Sequence, residues 1–266
     1  MKRLLAPAHR EVLDTFTRTR LLLAFDFDGT LAPIVRDPAA AAMRPSTRRL
    51  LARVARLYPC AVISGRSRED TLGRLAGVAL RAVIGNHGAE TGRSRGGTDR
   101  QHARDVKRWQ ASLERVLAAG GPAVEGVWIE DKRLSLSVHY RRSPRKPEAR
   151  QAILSAIAPL GPSRVIGGKQ VVNLMPEGAP HKGTALERVR VRLGCDTALY
   201  VGDDETDELV FASGEPRRLL AVRVGIRTGS RAPYALRSQR EIDELLTALV
   251  EARARTRRSA PRVRKK

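Results

Sequence analysis

The stretch Leu21–Ile34, LLLAFDFDGTLAPI, restricts the possible folds more than any other part of the chain. A strand with one wet face alternates apolar and polar residues. Leu21 to Phe25 does not alternate, as expected of a strand buried on both faces of a helix-covered parallel sheet. Further apolar runs follow at 60–64 (CAVIS), 81–84 (RAVI), 198–204 (ALYVGDD) and 219–225 (LLAVRVG). Helical patterns lie between them. Pro45 and Ser46 open one whose apolar positions are Leu50, Leu51, Val54 and Leu57, and others cover 67–76, 182–192, 205–213 and 241–250. Strand and helix in alternation predict an α/β, Rossmann-like parallel sheet.

The middle of the chain differs. Residues 93–100 read as a linker or loop, and a helix follows near 103–118. Leu134, Leu136, Val138 and Tyr140 then alternate with Ser135, Ser137 and His139, the period of an antiparallel strand with one open face. With 127–130, a helix after Pro144, and the pair SRVIG and KQVVNLM, this predicts a compact α+β domain inserted into the first. The expected organisation is an N-terminal extension at 1–17, a core at 18–92 and 178–251, the insert at 93–177, and a basic disordered tail at 252–266.

Composition matters here mainly through charge. The 266 residues carry a formal net charge of +22, mostly as arginine spread along the chain, with 42% apolar residues and few aromatics. A broad spread suits solvated faces and an anionic small substrate better than a nucleic-acid groove. Nucleic acid is an expected partner only through the tail, if at all. Cys60 and Cys195 have neither metal nor disulfide spacing. No run reaches the roughly 18 apolar residues of a membrane helix, and the N-terminus lacks the apolar core of a signal peptide. A cytoplasmic, monomeric protein without a membrane partner is expected.

Asp26 and Asp28 stand at the carboxyl end of a buried strand, the edge where open α/β sheets bind ligands. Two such carboxylates suit a hard divalent cation; an Asp-Gly turn would also look like this. A second acid cluster, GDDETDE with Asp203, Asp204 and Asp207, ends another buried strand. It reads either as the other half of a metal site or as an acid-rich helix start. Ser64 and Arg66 lie in a strand-to-helix loop of the kind that holds anions. Lys182 opens a helix, where the dipole disfavours a cation, so an anion or carboxylate nearby would explain it.

DFDGT (26–30), Ser64, Lys182 and GDDETD (202–207) resemble, in order, the motifs of haloacid dehalogenase-like phosphatases. DGTLAPI, SGRS, GNHGAE (85–90), VHYR (138–141) and GDDETDE resemble the trehalose-6-phosphate phosphatase family in particular. The resemblance implies a core of haloacid dehalogenase type with a cap domain, and Mg²⁺-dependent hydrolysis of trehalose 6-phosphate. It implies that Asp26 is the nucleophile that forms an aspartyl-phosphate. Asp28 is then the acid and base, Thr30 and Ser64, with Arg66, hold the phosphoryl oxygens, and Lys182 neutralises Asp26. Asp203 would bind magnesium with the Asp26 carboxylate and the Asp28 carbonyl, while Asp204 and Asp207 support that site from behind.

The insert resembles a cap that recognises the sugar. Glu130, Lys132, His139 and Arg141 match the family's EDK and HYR segments, and Asn86 and His87 lie in a loop beside the site. Asn173 departs from the pattern, standing where many members carry glutamate, so its hydrogen bonding differs. Sucrose phosphate, mannosyl-3-phosphoglycerate and hexose phosphates are the competing substrates. No fused synthase domain is expected.

Overall fold

The computed structural model describes residues 1–92, 96–161 and 163–259. Its core strands are β1 (Lys2–Arg3), β2 (Leu21–Phe25), β3 (Cys60–Ile63) and β4 (Ala82–Ile84) before the insert. The insert contains β5 (Trp128–Asp131), β6 (Leu136–His139), β7 (Ser163–Gly168) and β8 (Val171–Pro176). β9 (Thr197–Gly202), β10 (Leu219–Val224) and β11 (Tyr234–Leu236) complete the core. The helices are α1 (Arg10–Thr17), α2 (Pro45–Ala55), α3 (Arg68–Arg74), α4 (Gly97–Ala118), α5 (Lys146–Ile157), α6 (Lys182–Arg192), α7 (Glu205–Ser213) and α8 (Ile242–Ser259).

The seven core strands lie in the order β1-β11-β10-β9-β2-β3-β4, each pair parallel. β2 is buried on both faces, as its apolar run demands. Leu21, Leu23 and Phe25 join the core beneath α1, α2 and α8, while Leu22 and Ala24 join the one beneath α6 and α7. From β2 the chain runs outward to β3 and β4, then returns through the insert to β9 on β2's other side. That reversal opens a crevice between the carboxyl ends of β2 and β9, the place where such sheets bind ligands. Both acid clusters lie there.

The insert is a four-stranded antiparallel sheet, β5-β6-β8-β7, backed by α4 and α5. Leu136 and Val138 pack with Trp109, Leu113 and Ile153 in its own core. The opposite face is not open, contrary to the alternation read from the sequence. Ser135 and Ser137 are fully buried, and Ser135 hydrogen-bonds Asn86 of the core domain. Alternation marks two different environments, and here the polar one is the other domain.

Three boundaries differ from expectation. α4 begins at Gly97, so part of the expected linker is helical. The N-terminus is no extension: β1 pairs with β11, and Leu4, Leu13 and Phe16 are buried in the main core. α8 continues through Ser259, so the expected tail is helical over 252–259; the Arg253 guanidinium lies 4.2 Å from the Tyr58 ring centroid, and Arg255 pairs with Asp14 at 2.8 Å. The rest of that tail, 260–266, lies outside the described residues. Among those described, no helix is long and apolar enough to cross a membrane.

Deleting residues 1–17 should therefore destabilise the fold rather than trim it. Losing three buried side chains costs on the order of 5 kcal/mol, read as a lowered urea midpoint against the full chain.

Candidate active site

Two loops interlock at the crevice. After β2, the Asp26 amide donates to the Val201 carbonyl of β9 at 2.9 Å, and the chain turns tightly as Ala32 N bonds Phe27 O at 2.8 Å. Gly29 occupies the left-handed region with φ 78°, and a Cβ there would stand 2.1 Å from Asp203 Oδ2. Only glycine lets the Asp203 carboxylate lie on this turn. After β9, Asp204 caps α7 in a reciprocal box with Asp207. Asp207 Oδ2 accepts from the amides of Asp203 (2.8 Å) and Asp204 (2.9 Å), and its Oδ1 accepts from Tyr200 Oη (2.7 Å) and Lys182 Nζ (2.8 Å). Lys182 Nζ also meets Asp26 Oδ1 at 2.9 Å, and all three side chains are buried.

Oxygens of Asp26, Asp203 and Asp207 lie within 4.8 Å of one another, a donor set suited to a hard divalent ion. Asp207 already has both oxygens engaged. Asp203 Oδ1, by contrast, is buried without a partner among the described residues, which leaves Asp203 as the acid open to a cation. Burial drives the Asp26 pKa well above the usual carboxylate range; Lys182 opposes this, and Asp207 and Asp203 add to it. Burial and the neighbouring Asp207 lift Asp203 to about 6 against the pull of Lys169, and burial also raises Asp204. Burial alone would lower Lys182, but Asp207 and Asp26 raise it instead, so it stays charged.

The Arg66 side chain is occupied otherwise than the sequence suggested. It grips both Asp28 carboxylate oxygens at 2.6 and 2.7 Å and bonds Asp70 at 2.9 Å. It thus holds the carboxylate of the expected proton carrier. Thr30 and Ser64 are fully buried: Thr30 Oγ1 has no partner among the described residues, and Ser64 Oγ accepts from the Arg66 amide at 3.1 Å.

Asn86 is not turned toward a ligand. Its Nδ2 donates to the Lys132 carbonyl at 2.7 Å and its Oδ1 accepts from Ser135, so it ties core to cap. His87 does line the cavity; burial, with Lys132 and Lys182, holds its ring well below the ordinary imidazole range, hence neutral.

The cavity, about 180 Å³, lies between the two domains and includes Asp26, Asp28, Lys182 and Asp203 from the core. From the cap come Glu130, Lys132, His139, Arg141 and Asn173. Strand register explains their pairings. Trp128 faces His139 across β5 and β6, and the rings stack at 3.7 Å. Glu130 accepts from His139 at 2.8 Å, and Lys132 Nζ donates to the Gly65 carbonyl at 3.0 Å. Burial would raise the Glu130 carboxyl, but His139 and Lys132 lower it overall. Asn173 faces Ser137 across β6 and β8 and accepts its hydroxyl at 2.7 Å. Arg141 donates to the Val35 carbonyl at 3.1 Å.

Two residues were missed from sequence. Tyr200 looks like any apolar strand position, and nothing in the sequence singles it out. Lys169 follows two glycines in the β7–β8 hairpin, a turn signal that says nothing of its reach; its ammonium meets Asp203 Oδ2.

The trehalose-phosphatase family model matches residues 24–241. A probable trehalose-phosphate phosphatase D of Arabidopsis thaliana is 28% identical over 261 residues, covering 91% of this chain and 70% of that one. A trehalose-phosphate phosphatase of Mycolicibacterium paratuberculosis is 34% identical over 227 residues, covering 80% and 56%. Among solved structures, the C-terminal domain of C. albicans trehalose-6-phosphate phosphatase superposes with a TM-score of 0.76 at 23% identity, covering 91% of this chain and 96% of that one. That last likeness is one of fold.

A methyl group on Gly29 must displace Asp203. Gly29→Ala should cost at least roughly 100-fold in cation-dependent turnover, since misplacement of about 1 Å is enough for that; near-wild-type rates would contradict the nesting of the two loops. Proton and cation also compete for Asp203. Divalent-cation affinity should fall as pH drops through about 6 and recover above it, measured by calorimetric titration.

Proposed function

This chain belongs to the trehalose-phosphatase family of haloacid dehalogenase-like hydrolases, and from that premise we propose that it hydrolyses trehalose 6-phosphate to trehalose and phosphate. It is a phosphoric monoester hydrolase. The observation that carries the chemical reading is the buried Lys182 between Asp26 and Asp207, beside an unpartnered oxygen of Asp203. The names of the matched relatives support the sugar.

Asp26 attacks phosphorus as its bond to the sugar oxygen breaks, giving an aspartyl-phosphate and dividing a hard step into two easier ones. Asp28 donates a proton to the leaving oxygen. It then takes one from the water that attacks the same phosphorus, which frees phosphate and restores Asp26. Arg66 grips the ionised Asp28 carboxylate from two sides, and that grip has to loosen for Asp28 to carry its proton. Lys182 keeps its charge and offsets that of Asp26 and the phosphoryl group. Asp26 and Asp203, with the Asp28 carbonyl, would hold Mg²⁺, which supplies further positive charge at the transferring group. Thr30 and Ser64 offer hydroxyls to its oxygens.

The cap excludes water and meets the sugar. Glu130, Lys132, His139, Arg141 and Asn173 face the same cavity as the nucleophile, with His87 below them. Glu130 and Lys132 offer an acceptor and a donor suited to hydroxyl pairs, and the Asn173 amide, its oxygen accepting from Ser137, offers a donor.

Phosphate release with Mg²⁺ should be at least about tenfold more efficient on trehalose 6-phosphate than on sucrose, mannosyl-glycerate or hexose phosphates. Faster turnover of any of these would move the substrate assignment and leave the chemistry intact. Asp26→Asn should lose roughly 10⁴-fold or more, and chelation should abolish turnover until Mg²⁺ is restored. An active Asp26→Asn protein would refute the covalent route.

A further inference from the structure

The tip of the β7–β8 hairpin lies on the acid loop of the core, residue against residue. A Cβ on Gly167 would stand 2.2 Å from Glu205 Oε2, and one on Gly168 2.7 Å from Val171 Cγ1 of its own hairpin and 3.0 Å from Asp204 Oδ2. The next residue, Lys169, sets its ammonium on Asp203 Oδ2. Three successive cap residues thus meet three successive acids, in opposite directions along the chain. The first two are bare, so the backbone comes close enough for the third to deliver a charge. Gln170, with φ 63°, turns the chain back, and Arg141 donates to the Lys169 carbonyl at 3.3 Å.

An ion pair at a surface contributes little. This one differs, because the Lys169 side chain is 51% exposed while Asp203 is only 3% exposed. The lysine reaches from the cavity's open side onto a buried carboxylate of the reaction centre. Asp203's other oxygen has no partner among the described residues, so lysine and cation do not need the same atom. Among the described residues, the two ammonium groups paired with the cluster of Asp26, Asp203 and Asp207 are Lys182, from the core, and Lys169, from the cap.

We propose that Lys169 is a positioning residue through which the cap adds charge to the reaction centre, so that docking of the glycine tip favours a phosphate dianion there and disfavours a free divalent cation. This rests on the reading of the site as one that takes a phosphoryl group. One positive charge beside Asp203 attracts the anion and repels the cation; the burial of Asp203 limits screening at its end of the pair, while the half-exposed lysine is partly screened. Sensing of the anion is thereby built into cap closure, and the cap's contribution reaches beyond the sugar.

Two affinities on the full chain decide it: Mn²⁺ without anion, by electron paramagnetic resonance, and inorganic phosphate at saturating Mg²⁺, by calorimetry. Lys169→Met should bind Mn²⁺ more tightly and phosphate more weakly, each by at least about fivefold. Lys169→Arg should largely restore both. A packing defect would weaken both ligands together. That result, or two unchanged affinities, overturns the proposal. Failure of the wild type to bind phosphate would refute the phosphatase reading instead, and the cation measurement would still decide the role of Lys169.

Discussion

A buried ammonium held between two buried carboxylates sets the geometry of this protein. Taking a lysine out of water costs several kcal/mol, and carboxylates cost as much, so none of these groups is tolerable alone. Lys182 is stable where it is because Asp26 and Asp207 flank it at 2.9 and 2.8 Å. Asp207 in turn fixes the acid loop by accepting from two successive amides and from Tyr200. Three elements are locked by one charge: the end of β2, the start of α6 and the first turn of α7. A cation at the start of α6 opposes its dipole, and the reciprocal cap formed by His181 and Thr184 helps that helix to start regardless. The close approach of β9 and α7 needs a bare Gly202, whose Cβ would fall 2.3 Å from Asp207 Cγ.

Much of this could be read from the chain before any coordinates. The uninterrupted run into Asp26 identified a strand buried on both faces, and β2 does feed two separate cores. Two acid clusters at two strand ends pointed to one crevice, because parallel sheets align their carboxyl ends. Hidden from the sequence were contacts made between distant surfaces. Arg66 lies in an anion-binding kind of loop, yet its fork fits the Asp28 carboxylate, a match of shape that no spacing encodes. Asn86 looked like a site residue because GNHGAE reads as a loop beside the site, and its side chain ties the core to the cap. The N-terminal residues seemed peripheral because a two-residue strand has no pattern to detect, although Leu4 is 2% exposed.

The cap sheet shows the same limit from the other side. Period-two alternation reports that two faces differ, not what each one meets. Leu136 and Val138 face the cap's own core, while Ser135 and Ser137 are equally buried, Ser135 against Asn86 of the core domain and Ser137 against Asn173, which lines the cavity. Buried hydroxyls need partners, and they find Asn86 and Asn173. Closure therefore satisfies polar groups as well as covering apolar ones, so the closed arrangement is specific in register.

That register ties recognition to reaction. Glu130 and Lys132 lie on one hairpin of the cap and Lys169 on the other, so a rigid cap sheet cannot place the first pair in the cavity without bringing the last beside Asp203. The positive charge of the chain as a whole attracts any anion without distinction. Selectivity must arise where that charge is organised, at a cap whose polar edge and charged tip belong to one sheet. A ligand that offers only a phosphate can engage the tip, and one that offers only hydroxyls can engage the edge. On the proposed function, a sugar phosphate of the right span would engage both at once, and two contacts coupled through one sheet would strengthen binding beyond either alone. Asn173 lies in β8 between the two, its oxygen already accepting from Ser137, so what remains for a ligand there is the amide's donor side. A glutamate at that position would offer acceptors only, which makes this residue the point at which the chain's sugar preference can diverge while its chemistry stays the same.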